Sequence, residues 1–149
     1  MDLKAHRHTC SASAAAGSAP GRRWMLATRV VGIYFAGSAV LNAVYTVRTA
    51  HRLMAWFHDS AWVAPYRPVL KVLERIAPAV VLGTAAFEAV VGYHLLRGHR
   101  VAGALRWAQA WVIGLIPALP WPYWAPNAVS AGMFEIIRRR TLTGAPHRR

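Results

Sequence analysis

Glu88 is the residue of this chain best placed to do chemistry, because it stands inside an apolar run, residues 76–96, long enough to cross a bilayer. An acid at mid-bilayer costs roughly 2.5–3.5 kcal/mol on insertion scales, so it needs a partner or a task. Glu88 lies ten residues before Gly98, and Arg106 lies eight after it. With a rise of about 1.5 Å per residue, a helical hairpin turning at Gly98 brings both to nearly the same depth. The expectation is an ion pair or a water bridge between Glu88 and Arg106, with Gln109 alongside. Such a pair either holds two helices together or serves as a proton relay or a polar anchor for a quinone headgroup. Asn42 belongs to another apolar run. With Ser38 and Thr46 it forms a polar stripe at a spacing of four, which should face protein. No residue is assigned a catalytic role.

Other chemistry finds less support. Cys10 is the one cysteine, so the chain by itself makes no internal disulfide, CxxC pair or cysteine-based zinc site. A helical bundle can hold haem between histidines at matching depth, but here His94 alone lies clearly within a span. His99 is at the hairpin turn, and His51 and His58 fall towards the opposite side. No metal site is expected, and no cofactor is evident beyond a possible quinone. Trp24, Trp56, Trp62, Trp121 and Trp124 fall where interfacial belts are expected, whereas Trp107 and Trp111 are four apart inside a span. No phosphate-binding glycine loop, Ser-His-Asp order or HExxH is present.

The elements that must position these residues are membrane helices. Apolar types make up 56% of the 149 residues, above the roughly 45–50% of soluble domains, and they collect in runs separated by arginine clusters. The fold class is all-α: an integral membrane four-helix bundle over residues 24–140, with spans at about 26–47, 76–96, 101–119 and 123–137. Residues 1–23, rich in Ala, Ser, His and Arg, have little to bury and read as a disordered basic tail, with a loose likeness to a transit peptide. A second basic tail follows at 141–149. Gly32, Ala36 and Ala43 in the first span offer a surface for close helix approach. Residues 48–75 mix aromatic and charged types and suit an amphipathic segment lying along the membrane–water interface. Pro68 is expected to open a helix that continues into the second span, with Pro78 kinking its entry.

Charge sets orientation and partners. The 18 Lys+Arg against 5 Asp+Glu leave a formal charge of +13. Because many arginines flank apolar runs, anionic lipid is the expected partner, and nucleic acid is not. With four spans, the amino-terminal tail, the Arg97–Arg100 turn and Arg138–Arg140 share one side. The positive-inside rule then places both termini in the cytoplasm, although Arg48, Arg52, Arg67, Lys71 and Arg75 weigh against it on the other side.

Two segments resemble the DoxX-like family of small four-helix bacterial membrane proteins. Arg29-Val-Val-Gly32-Ile-Tyr-Phe-Ala-Gly37 is similar to that family's opening helix. Phe87-Glu88-Ala-Val-Val-Gly92-Tyr-His-Leu95-Leu96-Arg-Gly98 is similar to its E-x-x-x-G-x-x-L-L-x-G pattern, and the likeness extends over residues 26–137. The resemblance implies a multi-pass protein of the bacterial inner membrane, acting as an accessory or quinone-associated subunit beside a membrane or soluble oxidoreductase. It transfers no catalytic residue; Glu88 is the best matching polar position. A proton-coupled transporter using Glu88, or a non-catalytic scaffold, are the alternatives.

Overall fold

The computed structural model describes residues 19–143; the basic tail expected over residues 1–18, with Cys10, and the one expected at 144–149 lie outside it. Every regular element among the described residues is helical. The long helices are α1 (Ala19–Val44), α4 (Ala77–Arg97), α5 (Val101–Leu115) and α6 (Ala125–Thr143), with the short α2 (Ala50–Ser60) and α3 (Tyr66–Glu74) between α1 and α4. A 3-10 turn, Thr46–Thr49, leads into α2, and another, Ile116–Ala118, extends α5.

Helix α1 starts five residues inside the stretch that composition assigns to the basic tail. It is apolar nearly all round. Val31, Phe35 and Ala39 are buried on one side, while Val30, Ile33 and Val40 on the other are each more than 60% exposed. A helix with no polar face must be covered on its outside too, and a bilayer supplies that cover. Residues Gly21–Val44, Ala77–Arg97 and Val101–Ala118 are long and apolar enough to cross a membrane. This is a membrane protein with three such helices. Helix α6 is 19 residues long, but Glu135 and Arg138–Arg140 occupy its last part, so it does not reach the same standard. It also extends past the expected span end, to Thr143.

The long helices alternate in direction and pack mainly as two antiparallel pairs, α1 with α4 and α5 with α6, with looser contact between pairs. One core cluster joins them. It takes Val31 and Phe35 from α1, Val91 and Leu95 from α4, Leu105 and Val112 from α5, and Phe134 and Ile137 from α6. Phe35 is 1% exposed, and its ring lies 6.0 Å from that of Phe134. At the end of α6, the Arg140 guanidinium lies 5.9 Å from the Trp24 ring near the start of α1. The basic residues at the start of α1, in the α4–α5 turn and at the end of α6 therefore share one end of the bundle.

Residues 48–75 form the other end. Neither α2 nor α3, at 11 and 9 residues, is long enough to cross a bilayer. Ala50 and Met54 of α2 pack on Ala77 and Val81 of α4, while Leu70 of α3 joins Ala61 and Ala118. Trp62 Nε1 donates to the Ile116 carbonyl at 3.0 Å, and Trp56 meets Tyr123 edge to face.

Helix α3 does not continue into α4, contrary to the expectation from Pro68. It ends at Glu74, and Pro78 falls in the first turn of α4 rather than kinking it. Pro78 has no N–H to give the Glu74 carbonyl, and its ring would collide with that carbonyl in a continuous helix. In the first turn neither defect matters.

Candidate functional site

The buried face of α4 is a stripe of Ala77, Val81, Ala85, Glu88, Gly92 and Leu95 at helical spacing. From Glu88 to Leu95 the stripe lies against α1, and that contact decides the environment of Glu88. Asn42 Nδ2 donates a 2.7 Å hydrogen bond to Glu88 Oε2. Glu88 is 8% exposed, and Asn42 is half-buried beside it. Among the described residues no cation lies within salt-bridge distance of Glu88. The polar core of the seam is thus one carboxyl oxygen and one amide.

Glycines let the helices approach closely enough for this bond. A Cβ on Gly92 would stand 2.9 Å from the Ala36 nitrogen and 3.1 Å from the Gly32 carbonyl oxygen. A Cβ on Gly32 would stand 3.0 Å from Leu96 Cγ and 3.1 Å from Leu95 Cβ. Gly32 against Leu96, Ala36 against Gly92 and Asn42 against Glu88 make one continuous antiparallel register. Small residues in such a seam let two backbones approach and gain dispersion contacts that lipid cannot replace. Gly98, the last glycine of the segment, takes φ +69° and closes α4 in the left-handed conformation that glycine adopts without strain.

The expected Glu88–Arg106 pair does not form. Arg106 is exposed on α5, whose packed face carries Ala104, Leu105, Ala108 and Val112. At about 100° per residue, Arg106 lies about 200° from both Ala104 and Ala108. Equal depth was not enough: the helical phase turns Arg106 outwards, where its long side chain can reach the headgroups from the sixth residue beyond the turn. Gln109 also departs from the expected cluster. Its Nε2 donates to the Ala131 carbonyl at 3.2 Å and ties α5 to α6. Of the four candidates, the structure brings together Asn42 and Glu88 and sends Arg106 and Gln109 elsewhere. Ser38 and Thr46, the rest of the polar stripe, are half-buried.

The histidines and tryptophans separate by position. His51 and His58 both lie on α2, where His58 Nδ1 is 3.0 Å from Asp59 Oδ1. Among the described residues no group of three or more His, Cys, Asp or Glu is gathered as metal ligands would be. Trp111 stacks against Phe87 at 5.3 Å, whereas Trp107 is 67% exposed. His94 faces a cleft between α4 and α5 that sequence reasoning missed, with a volume of about 390 Å³ and Phe87, Arg100 and Trp107 among its walls. Its Nδ1 is buried and has no hydrogen-bond partner among the described residues. An unsatisfied buried nitrogen costs about 1–3 kcal/mol. The signal in the chain was faint: His94 and Gly103 flank the turn, but neither belongs to a motif.

Comparison with family models, with curated proteins and with solved structures returns no match to this chain.

Proposed function

We propose that this chain is an accessory subunit of a membrane redox assembly, with Glu88 and Asn42 clamping its first two spans rather than handling protons or substrate. The observation that carries this reading is where the segment resembling the DoxX-like pattern falls in the fold. Glu88, Gly92 and Leu95 are buried together on the α1-facing stripe of α4, and Gly98 caps the helix. Each residue of the pattern has a packing or capping task. The acid is enclosed between two helices and is absent from the walls of the α4–α5 cleft. Electrons, and any quinone, would then be handled at the contact with an oxidoreductase.

In this reading α6 is a fourth, short span of a cell-membrane bundle. Its outward stripe of Val129, Met133 and Ile136 is apolar and exposed, which suits lipid. The Arg138–Arg140 cluster then ends the span on the same side as Arg22, Arg23, Arg97 and Arg100, and the positive-inside rule makes that side cytoplasmic, with both termini there.

Gentle purification from native membranes, with mass spectrometry of what remains bound, tests the reading. An oxidoreductase in fixed stoichiometry, retained equally by Glu88→Gln, is the expected result. Liposomes holding the pure protein that move protons with substrate, and lose this with Glu88→Gln, would replace it by a proton-coupled transporter. A pure oligomer showing neither behaviour would leave a scaffold.

A further inference from the structure

We propose that the cleft between α4 and α5 binds one anionic membrane lipid, with its acidic headgroup at Arg100 and His94 and an acyl chain lying inwards over Gly103 towards Trp107. The inference rests on the chain spanning a membrane and not on which partner it serves.

The cleft has the shape and chemistry of such a ligand. Its volume of about 390 Å³ lies within the range of small-molecule sites, roughly 300–1,000 Å³. Its polar walls, Arg100 and His94, are at the hairpin end, and Val90, Phe87 and Trp107 make the deeper walls apolar. From Arg100 to Trp107 the helix advances about 10 Å, which takes a ligand from the headgroup layer into hydrocarbon. Gly103 keeps the floor open, since a Cβ placed there would meet nothing within 4 Å. A groove polar at the interface and apolar below it matches a lipid better than a soluble anion.

Charge selects an anionic headgroup. Three cations at this end are already engaged: Arg97 lies over the Tyr93 ring at 5.8 Å, and Arg138 and Arg139 both pair with Glu135. Arg100 has no ion-pair partner among the described residues. It borders the cleft together with the His94 imidazole. Basic pockets between membrane helices on one leaflet recognise acidic headgroups by this arrangement.

The test is native mass spectrometry of the full chain in detergent, titrated with phosphatidylglycerol or with phosphatidylcholine carrying the same acyl chains. One retained phosphatidylglycerol per chain, preferred about tenfold, is expected. Arg100→Asn suits the left-handed backbone at φ +50° and removes the cation, and it should lower that preference about fivefold. Arg100→Lys should restore most of it, and Gly103→Leu should exclude the lipid by filling the floor. Arg52→Asn, at the opposite end, is the control and should change nothing. Brominated phosphatidylglycerol should quench wild-type fluorescence more than that of Trp107→Phe, which serves if Gly103→Leu fails to fold. Equal retention of the two lipids, equal effects of Arg100→Asn and Arg52→Asn, or displacement of the lipid by millimolar inorganic phosphate would overturn the proposal.

Discussion

Asn42 and Glu88 are 46 positions apart in the chain and 2.7 Å apart in space, joined amide to carboxyl at the seam of α1 and α4. The bond has this geometry because Gly32 and Gly92 hold the two backbones close for the rest of the seam. The polar pair and the glycine pair are therefore one device. An acid that would be costly facing lipid is sheltered by the packing, and its hydrogen bond in turn sets the register of that packing.

Hydrogen bonds between membrane helices contribute about 0.6 kcal/mol on average and up to about 1.7 kcal/mol. A double-mutant cycle on Asn42→Ala and Glu88→Ala is expected to give a coupling in that range, read from unfolding in mixed detergent. Glu88→Gln keeps an acceptor for the Asn42 amide and should unfold close to the wild-type midpoint. Coupling near zero would mean that the bond does not operate in the membrane protein.

Gly92→Ala should be strongly destabilising, because the new methyl meets the α1 main chain, which cannot turn aside as a side chain can. Overpacking of this kind costs about 1–3 kcal/mol. Gly83→Ala, on the same helix but in open space, is the matched control and should be neutral. Thermal stability by fluorescence-detected chromatography reads both, and equal midpoints would contradict the close α1–α4 approach.

Arg106→Gln should leave stability unchanged, alone or combined with Glu88→Gln, since Arg106 faces outwards. A buried ion pair predicts the opposite, because removing one partner leaves an uncompensated charge and is strongly destabilising. Additivity in the detergent-unfolding assay distinguishes the two.

Topology follows from the alternating helices. In a Cys10→Ser background, single cysteines at His99 and Leu142 should react with an impermeant reagent from one side of the membrane. Cysteines at Asp59 and Trp121 should react from the other. Labelling of positions 99 and 142 from opposite sides would show that α6 does not cross.

The all-helical class and the three runs apolar enough to cross a membrane were legible in the chain itself because they are local. Runs such as 76–96 meet a length and polarity requirement set by the bilayer, and Gly98 and the prolines mark breaks through their own backbone constraints. The boundaries that moved, at Ala19, between Glu74 and Ala77 and at Thr143, are helix ends, where capping and neighbouring contacts compete with composition.

The partners of the polar residues were decided only by tertiary packing. Depth can be counted along a sequence, and it placed Glu88 and Arg106 level. Azimuth depends on which face each helix turns to its neighbours. The apolar face of α5, through Leu105, Ala108 and Val112, took the interior and turned Arg106 out. Gly32 and Gly92 drew α1 rather than α5 against the Glu88 face. The α4–α5 cleft arose the same way, from two tightly packed pairs that meet each other less closely. Rise per residue is a property of one helix, whereas facing is a property of two, and only the folded chain contains the second.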